Sequence, residues 1–299
     1  MAEERGIRKK YIDKRDWKVC NERLVKRGEF YINPSFLENW ISEIKQMNTS
    51  KVGQPYFYPK SEIEFLAILH CKFAYRELQG IVKAISDNYK FQFPVISYSQ
   101  ICRRMNCLEV KFEEVNERVV VAVDGSGEKV SNRGEWIRHK WGIRRGWIKV
   151  VVMGTEDGKV IDIRVGNEDL DERKAARGMI RKNHRNIKKV IGDGLHDCRE
   201  TFDVCEMYGI ETAIKIRKNA NTKARGSRRR KREVREYRRL GHERWVKEKG
   251  YGMRWPASEG IFSANKRIFG ETVKATKKRN MYHEIRLKFW AYNKLKAAR

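Results

Sequence analysis

Between residues 34 and 117 apolar residues recur at steps of three and four, the spacing that lines one face of a helix. Three stretches begin with the S/T-x-x-E/Q pattern of a capping box: Ser35 with Glu38, Ser61 with Glu64, and Ser97 with Gln100. They open SFLENWISEIKQM, SEIEFLAILHCKFAYRELQGIVKAI and SQICRRMNCLEV. In the second, Phe65, Leu66, Leu69, Phe73 and Leu78 form the expected inward stripe. The third carries Arg103 and Arg104. Short helices joined by tight links and ending this way fit a helix-turn-helix and a helical bundle with surface arginines about equally. Residues 1–33 are polar and charged, and are expected to form an irregular arm.

The period changes at Arg118. VVVAVDGSG is a β-branched run that reaches an acid and glycines. WIKVVVMGTEDGKVIDIRVG reads as two strands around a turn at Thr155–Gly158. LDERKAARGMIRKN is helical, with Asp169 or Asp171 at its start. NIKKVIGDG is a strand, DCRETFDVCEMYG a helix closed by Gly209, and IETAIKI a strand. The order strand, strand, strand, helix, strand, helix, strand predicts an α/β fold: a mixed sheet, antiparallel at first and then joined by crossovers, flanked by helices. A helical region runs from about Ala257 to the end, interrupted near Lys277–Asn280.

Charge modifies this picture. The chain of 299 residues has a net charge of +28. Of that, +20 falls after residue 216, while 1–117 and 118–216 carry +4 each. The excess begins in RGSRRRKREVREYRRL, within a basic insertion at about 217–250. A polyanion is the expected partner, nucleic acid before an anionic membrane surface, because the block lacks an amphipathic apolar face. Arg228, Arg229 and Arg230 are the expected phosphate contacts. Tyr237 and Trp245 could stack on bases or anchor the insertion. No apolar run of about 18 residues exists, so no membrane span is expected. The start, MAEERGIRKK, has no apolar core of a secretory signal. The six cysteines form no C-x-x-C pair and read as reduced, structural thiols.

Two aspartates stand out. Asp124 follows VVVAV and Asp193 follows KKVIG; each precedes a glycine. Acids at the ends of buried strands are costly unless they bind something, and α/β sheets bind ligands at such ends. Asp-Gly turns are the plain alternative for each. A third acid, Glu259, lies just after Pro256, which suits a helix start. Lys266 follows two turns later on the same face, and Arg254 just before is placed to meet a phosphate. Glu259 could equally be a helix-start acid favoured by the dipole.

Together these residues resemble a known family, the DDE transposases of prokaryotic insertion sequences, of the insertion-sequence-five type within the Y-R-E-K signature group. The resemblance rests on Tyr251, Arg254, Glu259 and Lys266, with an Arg-to-Glu gap longer by one than usual. EGIFSANKRIFG, VAVDGSGEKV and IGDGLHDCRETFDVCEMYGIETAIKIRKNAN match the family's three acid blocks, with His196 where Tyr is common. YRELQG at Tyr75–Gly80 matches a recurrent N-terminal segment. The resemblance covers about residues 70–295.

The resemblance implies a ribonuclease H-like catalytic domain over 118–299, preceded by a helical, DNA-binding domain over 34–117 and the arm over 1–33. It implies a triad of Asp124, Asp193 and Glu259. Three converging carboxylates repel one another, and divalent metal resolves the conflict. Hard oxygen ligands suit Mg²⁺ or Mn²⁺, as two ions. Water nicks the transposon end, and the freed 3′-OH attacks target DNA. Tyr251, Arg254 and Lys266 are the expected phosphate contacts. Double-stranded DNA is the expected partner, a homodimer pairing two ends the expected assembly, and the prokaryotic cytoplasm, at the nucleoid, the expected location. The alternatives are a ribonuclease H-like nuclease without strand transfer and a catalytically idle DNA-binding derivative.

Overall fold

The computed structural model describes residues 16–89, 92–130, 147–223 and 226–298. Residues 1–15 of the expected arm, and Arg225 of the basic block, lie outside them.

The rest of the arm departs from expectation. Trp17–Ile32 forms a helix, α1, with Asp16 as its N-cap accepting from the Val19 N–H at 3.2 Å. No residue of α1 is buried. Its apolar residues Trp17, Leu24 and Tyr31 recur every seven positions, but only the end of the helix, Phe30 and Tyr31, packs on the core, and a stripe otherwise left in solvent is too weak to stand out against the charges.

Four helices follow: α2 (Trp40–Asn48), α3 (Lys60–His70), α4 (Tyr75–Asn88) and α5 (Tyr98–Cys107). The three expected caps have different fates. Ser97 caps α5, accepting from the Gln100 N–H at 3.4 Å. Ser35 opens only a 3₁₀ turn, Ser35–Leu37, and α2 starts later. Ser61 lies inside α3, where its N–H and hydroxyl both donate to Glu43 of α2. A tertiary partner replaced the local one. The long second stretch is also two helices. It breaks before Ala74, whose N–H donates to Glu77 at 2.6 Å, the returning half of a capping box. Leu66, Leu69 and Leu78 are buried as expected, whereas Phe73 at the break is exposed.

The sheet contains β1 (Val119–Val130), β2 (Trp147–Thr155), β3 (Val160–Asn167), β4 (Ile187–Gly192), β5 (Glu211–Ile214) and the short β6 (Thr272–Val273). The strand order is β3-β2-β1-β4-β5, with β6 pairing the far end of β1. The β1–β2 and β2–β3 pairs are antiparallel, and β1–β4 and β4–β5 are parallel. This is the expected mixed, ribonuclease H-like sheet. The crossovers carry α6 (Glu172–Asn183), capped by Asp171, and α7 (Arg199–Met207). The basic segment forms α8 (Arg228–Lys249), kinked at Gly241; α9 (Gly260–Phe269) and α10 (Lys278–Ala297) complete the chain.

Alternation along the strands divides the core. Val121 and Val123 pack with Met179 and Ile180 of α6 and with Val204 of α7. Val150, Val152 and Ile163 face the other way, into a cluster that also contains Ile285 and Phe289 of α10 and Leu66, Leu78 and Ile101 of the N-terminal helices. The N-terminal helices therefore share one apolar core with the sheet.

That helical layer buries an ionisable group. Glu62 of α3 is fully buried, neither of its oxygens has a hydrogen-bond partner, and burial pushes its carboxyl up to about 8, against the opposing charge of Arg104. From pH 4.5 to about 8 the folded chain keeps a proton that the unfolded chain releases. Stability is therefore fully present at the acid end of that window and is lost as the pH rises through it, by on the order of a few kcal/mol. Glu62→Gln should match the parent in denaturant midpoint at the acid end and exceed it above pH 8. Equal midpoints at both ends would refute a buried, titrating Glu62.

Candidate active site

Asp124 does not end its strand: β1 continues through Gly125, Ser126 and Gly127 to Val130. What ends there is the parallel partner. The β1–β4 register closes at Val123↔Gly192, so one further step sets Asp124 beside Asp193 on the neighbouring strand. The Asp-Gly turn reading therefore fails for Asp124. Asp193 does both jobs: it leaves the end of β4 and also caps the 3₁₀ turn Gly194–His196, its Oδ1 accepting from the Leu195 N–H at 2.8 Å.

By alternation, Asp124 shares a face of β1 with Ala122, which packs against Ala257. Ala257 belongs to a π-helical turn, Trp255–Glu259, in which the Gly260 N–H donates to the Trp255 carbonyl five residues back. Such a turn holds one residue more than an α turn. It absorbs the long Arg-to-Glu gap and returns Arg254 and Glu259 to one side, with Arg254 Nη1 2.7 Å from Glu259 Oε1. The turn lies tightly on β2. A Cβ at Gly154 would stand 2.1 Å from the Ala257 carbonyl oxygen, so glycine is required there.

Arg254 joins the distant acids. Its Nη2 lies 3.1 Å from Asp124 Oδ2, across 130 residues of sequence, while Nη1 holds Glu259. The Ser258 hydroxyl lies 2.9 Å from the Arg254 carbonyl and 3.4 Å from Asp124 Oδ2; Asp124 Oδ1 accepts from the Gly125 N–H at 3.0 Å. Burial raises the Asp124 carboxyl above its ordinary value; Arg254 opposes this, and the charges of Asp193 and Glu259 add to it. The repulsion expected among three acids is thus present, and a guanidinium relieves it.

The other signature residues surround this centre. The Tyr251 ring packs against Trp245 of α8 at 5.2 Å between centroids, and burial raises its hydroxyl pKa, with Arg254 opposing. Lys266 Nζ donates to the Gly127 carbonyl at 3.3 Å, farther along β1. Trp245 is buried, with Tyr237 packed edge-on at 5.1 Å. Of its two expected roles, the structure places Trp245 as an anchor, because an interior ring cannot meet a base.

The expected phosphate contacts divide. Arg228 is exposed at the start of α8. Arg229 pairs with Glu233 at 3.1 Å, and Arg230 makes a forked pair with the buried Asp197. Arg103 is exposed on α5, whereas Arg104 is turned inward over the rings of Tyr58 and Tyr56. Local sequence could reveal only the Arg229–Glu233 pair, four residues apart on α8, since the partners of Arg230 and Arg104 lie on other elements.

The sequence reading missed three neighbours. Ser258 has just been placed. Glu172, in the first turn of α6, pairs with Lys149 at 2.8 Å and lies over Gly125, where a Cβ would come 2.5 Å from its carboxyl carbon. His196 is buried against Gly192, and burial lowers its pKa, against the charges of Asp193 and Glu172. A strand–helix contact carries no motif, so only His196, within a matched block, had any signal.

Carboxylate oxygens on adjacent strands, at the point where one of them ends, are the donor set of a hard divalent cation. Among the described residues, no three His, Cys, Asp or Glu side chains are grouped as a metal cluster. The Arg254 guanidinium supplies positive charge between Asp124 and Glu259 instead, so a cation drawing on both acids requires that side chain to turn aside. By donor chemistry the residues fit the metal.

Two family models, each described as a transposase DDE domain, match the chain, one over residues 25–133 and one over 116–294. Solved structures give distant likenesses. The Mos1 transposase catalytic domain with Raltegravir and Mg is 10% identical, covers 60% of this chain and 84% of that one, and has a TM-score of 0.26. The Mos1 mariner paired-end complex with Mn is 11% identical, with coverages of 93% and 97% and a TM-score of 0.24. A simian T-cell lymphotropic virus intasome is 9% identical, with coverages of 74% and 72% and a TM-score of 0.27. Membership rests on the family match, which spans more than half of the chain and the whole segment from Asp124 through Asp193 to Glu259: the chain belongs to the DDE transposases.

Proposed function

We propose that Asp124, Asp193 and Glu259 are the catalytic carboxylates of this transposase and hold Mg²⁺ or Mn²⁺, as two ions, for cleavage at transposon ends and strand transfer into target DNA. The observation that carries the reading is the meeting of Asp124 and Glu259, from opposite ends of the catalytic segment, at one guanidinium. The metal would supply Lewis-acid activation of the attacking oxygen and neutralise charge on the scissile phosphate. The protein's share is positional. The β1–β4 register sets the two aspartates side by side, and the π turn holds Glu259 at the guanidinium that also meets Asp124. Arg254 is the forked donor for a phosphate oxygen once it leaves the acids, and Lys266 and Tyr251 border the path of the DNA backbone.

The insertion extends that path. Arg228, Arg232, Arg235 and Arg239 lie at helical spacing along α8 and are all exposed, Arg232 also pairing with Glu206. They form the stripe expected to follow phosphates, with Arg103 a second contact on α5. Replacing Arg228, Arg235 and Arg239 with Ala should weaken binding to all duplexes about equally. The dependence of log K on log salt should flatten by about 0.9 for each phosphate that the variant no longer neutralises. Loss confined to transposon ends would instead mean that the stripe reads sequence.

No helix among the described residues is long and apolar enough to cross a membrane. We infer a homodimer as the working assembly, because one active site faces one DNA end and transposition joins two. The test of the function is a joining assay. Duplexes from the DNA flanking the gene, precut at their 3′ ends, are incubated with supercoiled plasmid and Mg²⁺. Joined product supports the transposase reading; hydrolysis without joining favours the nuclease.

A further inference from the structure

The basic insertion also reaches inward, toward the turn that carries Asp193. Ser227 fixes the start of α8: its hydroxyl donates to Asp203 Oδ1 at 2.5 Å, and its Oγ accepts from the Arg230 N–H at 3.2 Å. From that first turn Arg230 grips Asp197 with a fork, Nε to Oδ1 at 2.7 Å and Nη2 to Oδ2 at 3.1 Å. The Asp197 side chain is fully buried, and its Oδ2 also accepts from the Arg217 N–H at 3.0 Å. Arg217 in turn donates from Nε to the Gly194 carbonyl at 2.5 Å and from Nη2 to the Leu195 carbonyl at 3.0 Å. Those carbonyls belong to the 3₁₀ turn that Asp193 caps.

The chain of contacts therefore runs from the insertion helix to a catalytic acid. A short turn containing glycine has little rigidity of its own. Here it is held at its far end by Asp197 and along its carbonyls by Arg217, and both depend on one buried carboxylate. A buried carboxylate is held in place only while it is paired. Arg230 is the one charged partner it has among the described residues, and its forking donors are both committed.

We infer that Arg230 is a positioning residue for Asp193: through Asp197 and Arg217 it fixes the turn from which that carboxylate reaches the active site, and it does not contact DNA. This reassigns one of the arginines expected to bind phosphate and gives the insertion a second task. The inference rests on the proposal that Asp193 is a metal ligand. Partners behind metal ligands typically change metal affinity by about 10–100-fold when removed.

The test uses the full chain. Arg230→Ala should raise amide hydrogen exchange across residues 193–198 and weaken Mn²⁺ binding, read by titration calorimetry, by about 10–100-fold. The salt slope for a nonspecific duplex should stay at the parental value. Should the single variant fail to fold, Arg230→Met combined with Asp197→Asn leaves no buried charge unpaired, and the same exchange and Mn²⁺ losses are expected of it. Parental Mn²⁺ affinity and turn protection in either variant overturn the inference, as does a salt slope lowered by about one in Arg230→Ala. Asp193→Asn, measured alongside, separates the two claims. Undiminished Mn²⁺ binding there would sink the metal assignment, while exchange across the turn would still report on Arg230.

Discussion

Asp124→Asn is expected to lower metal-dependent cleavage of transposon-end DNA by about three orders of magnitude or more while leaving DNA affinity nearly unchanged. The substitution keeps the shape of the side chain and removes its charge. Asp124 is placed centrally: Asp193 stands beside it across the β1–β4 register, and Arg254 links it to Glu259. Asparagine retains one carbonyl oxygen for the Gly125 N–H and gives up only the contact to Arg254, whose guanidinium keeps Glu259, so the fold should survive. What it loses is the anionic donor that a hard divalent cation needs. Titration calorimetry should show weakened Mn²⁺ binding in step with lost cleavage, and gel-shift affinity for the same duplex should remain near the parental value. Cleavage at the parental rate would remove Asp124 from the catalytic assignment.

Arg254→Ala is expected to reduce single-turnover cleavage by about 10²–10³-fold, the usual cost of losing one preorganised donor to a reacting oxyanion. Two losses coincide. The phosphate loses a planar fork, and Asp124 and Glu259 lose the charge that neutralises them in the metal-free protein. Lysine should not rescue the variant, because one ammonium cannot span both acids. A second reading distinguishes this from general damage. With the acids left unneutralised, Arg254→Ala should gain more thermal stability from added Mg²⁺ than the parent does, since the cation then meets no competing guanidinium. Activity within tenfold of the parent, together with an unchanged Mg²⁺ shift, would show that Arg254 neither competes with metal nor serves the reaction.

Much of the architecture was legible because it is written locally. The run VVVAV, the turn at Thr155–Gly158 and a cap at Asp169 or Asp171 each depend on a few adjacent residues; the first two appear where the pattern put them, and the cap is the second of its two candidates, Asp171. Departures occur where a partner from elsewhere intervenes. Ser61 leaves its capping role because Glu43 reaches it from another helix. The arm helix was missed because most of its apolar face, Trp17 and Leu24 included, stays in solvent, which removes the contrast that periodicity needs. The extra residue between Arg254 and Glu259 looked like a departure from the signature, yet a π turn absorbs it.

The candidate site divides the same way. Sequence alone determined which acids to consider, the order of strands and helices around them, and that the positive charge gathers near the third acid. The order of elements and the place of the charge follow from composition and from periods of two and 3.6, which are properties of neighbouring residues, and the choice of the three acids together follows from the resemblance. Only the tertiary structure decided that Asp124 lies inside a strand at the point where its parallel partner stops. It alone showed that a guanidinium lies between two of the acids, and that Arg228 faces solvent while Arg230, two residues on, is bound to a buried aspartate 33 positions away. The physical reason is range. A charge pairs with whatever the fold brings within a few ångströms, and that choice is made by contacts across the chain rather than along it.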